Sequence, residues 1–458
     1  MKRSLIFIIS LLMVFSVVLA ACQPAPEPTK APEVKPTSAP ATVKTEEVAQ
    51  PTEEAKPVET EEVPEVKEVT AVIGFTTSQT GKYNVSSTRQ VSGLRLWMKD
   101  VNDAGGIVLS DGTVIKFSEV TYDDESNTDR VQELYTRIAT EDGADFLISP
   151  YSSGLTAASS IIAEQYGKIM ITTGAASDAN YKQGYTSVYQ AYTPASRYLT
   201  GAVDLLGKLD PDAKKVAFVY ENSKFSTAVV VAAKDYAVEQ GYDVVLYEGY
   251  DPETTDFGPF INKIVDAGPD AILGGGHFQD GSTFARQIYD KNIAIKFMTL
   301  LVAPPEPDFA DLGEAALGVI GPSQWEPLAA FTPESAEQAG LEWFGLTGDK
   351  FVEEYVAAYG EDPSYHSAGG YAAGMILQKA IMDADSMDFE KVKAALDGVD
   401  MLTFYGHIKF DTSEEAHGLQ LGHSMVYIQW QKDADGNLVK QVVWPEEGAT
   451  AEPLYPLH

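Results

Sequence analysis

The sequence predicts an α/β protein in which two blocks of parallel, doubly wound sheet are joined into one body. Three observations carry this. From Ala71 onward, short apolar runs alternate with amphipathic stretches. The alternation occurs once before and once after about Tyr192. With 458 residues, 44% of them hydrophobic, the chain has material for more than one sizeable core.

Taken in order, the first block has candidate strands at Ala71–Thr77, Val114–Tyr122, Ala144–Ser149 and Lys168–Thr172. Helix-like stretches near 86–103, 127–141 and 155–166 separate them, with apolar residues recurring at helical spacing. The second block reads as strands at Lys215–Tyr220, Asp243–Tyr247, Asp270–Leu273 and Lys296–Leu301, with helices near 196–209, 225–240, 257–267 and 281–291. A helical region at about 344–397 follows, then strand-like runs near 403–410, 423–431 and 438–444. Strands spaced by helices of this length pair in parallel, and open sheets of that kind hold ligands at the carboxyl ends of their strands. The loops after Thr77, Ser149, Thr172, Tyr220, Leu273 and Leu301 are therefore the places to look for a site.

The N-terminus is of a different kind. Met1-Lys2-Arg3 is basic, the run from Leu5 to Ala21 is apolar, and Cys22 follows, so residues 1–21 have the parts of a secretory signal. Cys22 is also the only cysteine, which rules out an intrachain disulfide, a cysteine metal cluster and thiol catalysis in the body. From Gln23 to about Val69 the chain is Pro, Glu, Thr, Ala and Lys without an aromatic residue, a composition that cannot bury enough apolar surface to fold. It reads as a tether. A net charge of -34 argues against nucleic acid as a partner, because phosphate binding needs clustered Lys and Arg.

Signals for chemistry are weak. Gly274-Gly275-Gly276 follows a strand but lacks the spacing of a phosphate loop and reads as a strand-end turn. No GxSxG elbow makes Ser152 or Ser153 a nucleophile, and His277, His366, His407, His417, His423 and His458 show no metal-ligand spacing. No cofactor is expected, and an enzyme, for instance a hydrolase, is the weaker reading.

Several segments together carry a resemblance. Val101-Asn102-Asp103-Ala104-Gly105-Gly106-Ile107 is similar to an "INxxGGI" helix end, and Tyr122-Asp123-Asp124 follows the second strand. Ser149-Pro150-Tyr151-Ser152-Ser153-Gly154 and Ile171-Thr172-Thr173-Gly174-Ala175-Ala176-Ser177 look like a pair of ligand loops; Thr255-Asp256-Phe257 and Trp444-Pro445 complete the order. The body thus resembles the leucine/isoleucine/valine-binding (branched-chain amino acid and amide) group of substrate-binding proteins of ABC transporters. Leu19-Ala20-Ala21-Cys22 resembles a lipobox, the site at which bacterial lipoproteins are cut and acylated.

The resemblance implies a two-lobed type I periplasmic-binding-protein fold crossed three times at its hinge, near 192, 325 and 405. The first lobe would hold 70–192 and 326–404, the second 193–325 and 405–445, and 446–458 would form a tail. It implies a lipoprotein, a monomer held outside the cytoplasm by acyl chains on Cys22, that captures an amino acid, amide or related carboxylate. The partners would be that ligand and the permease and ATPase of an importer. A receptor module that senses the ligand and signals to a membrane partner is the alternative.

Among site residues, Ser153 and Ser177 correspond to hydroxyl residues that hold a ligand carboxylate, with Tyr151, Ser152 and Ala175 beside them. Free N–H groups at a helix start suit that task; ligand contact is preferred over a mere cap by Ser152 or Ser153, and one residue can do both. From the other lobe, Phe225 and His277 take the places of tyrosines, with a histidine of a surface loop as the other reading of His277. Tyr83 is an expected apolar wall, and Trp325 either lines the cleft or packs in a core. Leu301 falls where the amino-acid binders carry a glutamate for the ligand's ammonium. Either another acid such as Glu221 or Asp280 substitutes, or the ligand has no α-ammonium; burying an ammonium without an acceptor is costly, and the second option is preferred.

Overall fold

The computed structural model describes residues 67–329 and 331–457. The apolar leader, Cys22 and nearly all of the Pro/Glu-rich segment lie outside the described residues. Among the described residues, no helix is long and apolar enough to cross a membrane.

The first sheet is built from β1 (Glu68–Thr77), β2 (Ile107–Val108), β3 (Val114–Asp123), β4 (Phe146–Ile148), β5 (Met170–Thr172) and β6 (Val188–Gln190). Their order is β2-β3-β1-β4-β5-β6, all pairs parallel except the short β2 against β3. The inner strands β4 and β5 are buried along their whole length because helices cover both faces of the sheet there. One face carries the helix Asn84–Asp103 and, packed on it, the long helix Tyr365–Ala384. These two approach so closely that a Cβ added to Gly93 would sit 1.8 Å from the Ser367 carbonyl oxygen, and one added to Gly370 1.9 Å from that of Gln90. Glycine is what permits the crossing.

The second sheet begins with β7 (Lys215–Glu221), β8 (Asp243–Tyr250), β9 (Ala271–Gly275), β10 (Phe297–Leu300) and β11 (Ile320–Ser323). A small sheet then joins β12 (Glu342–Trp343) to the hairpin β13 (Asp400–Thr403) and β14 (Gly406–Lys409). Two antiparallel strands, β15 (Val426–Lys432) and β16 (Leu438–Trp444), return to complete the second sheet in the order β16-β15-β11-β10-β9-β7-β8. The eight strands expected from apolar runs are all present. The run 403–410, read as one strand, instead contains the turn of a hairpin at Phe404–Tyr405.

Each sheet has its own apolar core, which defines two lobes. The chain passes between them three times: after β6 at Ala191–Pro194, at about Gln324–Trp325 after β11, and between Phe410 and Met425. The expected third passage near 405 is displaced, because the hairpin buries Ile408 and Phe410 in the first lobe's core. The passages are tied to one another. Gln324 Oε1 accepts from the Thr193 N–H at 2.8 Å, and Thr193 Oγ1 lies 2.8 Å from His423 Nδ1. His423 Nε2 faces the Tyr405 carbonyl at 2.9 Å, so Nε2 donates and Nδ1 accepts the Thr193 hydroxyl.

Candidate ligand-binding cleft

The strand ends of the two sheets face each other, and loops from both meet. In the first lobe, Tyr151 follows β4 and Ser152 caps the helix Ser153–Gln165. Ser152 stands at φ 85°, a backbone conformation costly for a residue with a Cβ, and its Oγ accepts from the Leu155 N–H at 3.2 Å. Ser153 Oγ accepts from the N–H groups of Ala176 and Ser177 at 3.1 and 3.0 Å, which joins the loop after β4 to the loop after β5. The Ser177 hydroxyl is buried and has no hydrogen-bond partner among the described residues. The Ala175 carbonyl accepts from Gln190 Nε2 at 3.1 Å, and the next residue, Ala176, lines the cavity.

From the second lobe come Phe225 and His277. The His277 Nδ1 lies 3.1 Å from the Tyr151 hydroxyl, a hydrogen bond between lobes. Its Nε2 sits 3.3 Å from Glu221 Oε2, off the hydrogen-bonding axis. Burial pulls the imidazole down to about 4, with the Asp280 carboxylate opposing that shift and Lys82 and His366 adding to it, so the ring is neutral at physiological pH. Tyr83 stands edge-on to both Tyr151 and His277, with ring centroids 5.6 and 4.7 Å away. Burial, reinforced by the nearby Glu221, pushes its phenol well above the usual range. Lys82 closes the mouth by pairing with Glu221 at 3.4 Å.

Tyr151, Phe225 and His277 line one cavity together with Gly174, Ala176, Tyr192, Tyr198, Val302, Tyr365 and His366. Its volume is about 10 Å³, room for a single water. A site for a small organic molecule encloses roughly 300 Å³ or more, so the lobes must part to admit one. Of the expected residues, Tyr83, Tyr151, Ser152, Ser153, Ala175, Ser177, Phe225 and His277 are brought together at or beside this cavity.

Two lie elsewhere. Leu301 is fully buried in the second lobe's core, and its neighbour Val302, at φ 58°, reaches the cavity in its place. Trp325 packs edge-on against Phe351 and Phe404 in the first lobe's core. Tyr192, Tyr198, Tyr365 and His366 were not expected in the wall. Tyr192 and Tyr198 flank the first passage, where a sequence read for strand-end loops has no reason to look. Tyr365 and His366 start an apolar helix whose periodicity reports a core only.

The arrangement can hold a small molecule and exclude water from it. Among the described residues there is no group of acids, histidines and cysteines able to hold a metal. Fold and cleft define a two-lobed binder that shuts on its ligand. The chain belongs to the periplasmic binding protein family, whose model matches residues 70–436; its members bind solutes for transporters, are not enzymes and work outside the cytoplasm. It is similar to Leu/Ile/Val-binding protein homolog 7 of Brucella suis, 29% identical over 378 residues that cover 79% of this chain and 88% of the relative. Its fold matches a leucine-binding protein from Thermotoga maritima with a TM-score of 0.69, at 20% identity over 82% of this chain and 99% of the other. A solute-binding protein of an ABC transporter from R. palustris, solved in complex with benzoate, matches with a TM-score of 0.67 at 19% identity, over 84% and 100% of the two chains.

Proposed function

We propose that the protein is the lipid-anchored solute-binding component of an ABC importer, and that its ligand is a small carboxylate or amide with an apolar or aromatic body and no α-ammonium. The permease and its ATPase would receive the ligand, and Cys22 would carry the acyl chains, since two chains give stable membrane attachment where one is marginal. The observation that carries the ligand class is the state of the acids near the cleft. Leu301 supplies none, being in the core. Glu221 is paired with Lys82, and Asp280 accepts the His277 N–H at 2.7 Å and the Tyr250 hydroxyl at 2.5 Å. Burial pushes both carboxyls up, and the reading rests on their being already engaged inside the protein, Glu221 by Lys82 and Asp280 by the Tyr250 hydroxyl and the His277 backbone N–H. The helix start at Ser153 and the unpartnered Ser177 hydroxyl favour an anionic or carbonyl group on the first-lobe side, and the tyrosines and Phe225 favour a flat or branched apolar body opposite.

The test is a thermal-shift screen of the protein against amino acids, their deaminated acids, aromatic acids and amides, followed by calorimetry. A ligand present at 100 times its dissociation constant adds about 2.7 kcal/mol of stability. Aromatic or aliphatic carboxylates or amides are expected to bind. Micromolar binding of leucine or valine would overturn the ligand class, and silence across the screen would count against transport of such molecules.

A further inference from the structure

One buried charge belongs to neither lobe's own wiring. Glu306 lies in the loop after β10 of the second lobe, fully buried, and its neighbour Phe309 is fixed in that lobe's core. Its side chain nevertheless reaches the first lobe. One oxygen, Oε2, accepts from Arg89 Nη1 at 3.0 Å; the other, Oε1, is hydrogen-bonded to His366 Nδ1. Arg89 belongs to the helix Asn84–Asp103 and is itself buried, and it also holds Asp308 at 3.0 Å and Glu361 at 3.8 Å, both about half-exposed. His366 lines the ligand cavity, its ring edge-on to Tyr151 at 5.1 Å.

We propose that Glu306 is a positioning residue of the ligand site: it crosses from the second lobe to the first and, only when the lobes are shut, sets the His366 ring in the cavity wall while neutralising Arg89. Burial by itself would raise the Glu306 carboxyl, but His366 and Arg89 outweigh it and hold the group below the usual carboxylate range. A carboxylate only accepts, so His366 Nδ1 carries the hydrogen, and Nε2 is the nitrogen available to the cavity. Opening the lobes separates a buried carboxylate from the guanidinium and the imidazole that it holds. Removing the carboxylate alone leaves Arg89 buried against the second lobe without its innermost counter-charge, which penalises the shut state and spares the open one. The cavity wall and the shut state are thereby set by the same side chain.

The experiment needs no ligand, so its outcome is independent of the function proposed above. Lys82 and Glu253 line the mouth of the cleft from opposite lobes. With Thr80→Cys, an exposed position in the Lys82 loop that leaves the Lys82–Glu221 pair intact, and Glu253→Cys in a Cys22→Ser background, the rate of bridging by a short bis-maleimide tracks the fraction of time the lobes are shut. Glu306→Gln is expected to slow bridging at least five-fold, and Arg89→Met by a similar factor. Asp308→Asn, which removes a half-exposed partner of the same guanidinium, should change it less than two-fold. A Glu306→Gln rate within two-fold of the parent, with the melting temperature unchanged, overturns the proposal; so does an equal slowing by Asp308→Asn, which would mean general charge attraction. Should Glu306→Gln fail to fold, His366→Asn carries the same expectation of slower bridging.

Discussion

His423 shows how one buried side chain couples folding to pH. Burial pulls its imidazole down to about 4, against the opposing pull of the Tyr405 carbonyl. An unfolded chain takes up a proton near the ordinary value of about 6.5 while the native one does not. In that window the unfolded state therefore binds more protons, and stability rises with pH. The contribution is fully present above about 6.5 and is lost as pH falls toward 4, at about 1.4 kcal/mol per pH unit for one proton. His423→Gln should flatten the pH dependence of urea unfolding between pH 4 and 6.5 by one proton, whatever it does to stability at pH 7. An unchanged slope would mean the native imidazole is already charged. Ser153 makes a second case. Ser153→Ala leaves the N–H groups of Ala176 and Ser177 buried without their shared acceptor, at a cost of about 1–3 kcal/mol by denaturant titration. A loss under about 0.5 kcal/mol would show that the loops are not held by this hydroxyl.

At the level of elements, the crossing of Asn84–Asp103 with Tyr365–Ala384 is the sharpest constraint. Gly370→Ala forces a methyl group into the Gln90 carbonyl and should cost at least the upper end of the about 1–3 kcal/mol typical of overpacking, read as a lowered melting temperature. A neutral substitution would mean the helices can slide apart freely. Elements are also where sequence reading did best and where its reach ended. Most of the parallel strands were legible because burial on both faces writes them as short apolar runs such as Phe146–Ile148 and Ala271–Leu273, while β6 and β11, three and four residues long beside chain passages, were not expected. The β13–β14 hairpin was not, because its turn is Phe404–Tyr405, two aromatic residues that continue an apolar run instead of marking a break. The strand pattern placed the serine loops at strand ends, and the resemblance to the binding-protein group gave them their expected role. The Arg89–Glu306–His366 network was invisible, its members lying 217 and 60 residues apart with no period to connect them.

For the whole molecule, the two ends of the function separate cleanly. Attachment is proposed to rest on Cys22 and ligand capture on the body, so Cys22→Ser should abolish incorporation of labelled palmitate in cells while leaving ligand-induced thermal shifts of the purified protein intact. Retained label would place the anchor elsewhere. Capture itself requires the lobes to part, since the tyrosine-walled cavity is far too small for an organic solute as it stands.

The three passages of the chain between lobes also bear on biogenesis. The first lobe's core needs Trp97 from near the start and Ile376 from near the end, and the second needs Phe218 together with Tyr427. A polypeptide emerging amino end first thus cannot finish either half until most of it has been made. Until then, the sticky inner faces stay uncovered for most of synthesis, which suits a precursor threaded through a membrane as a loose strand and left to compact on the far side.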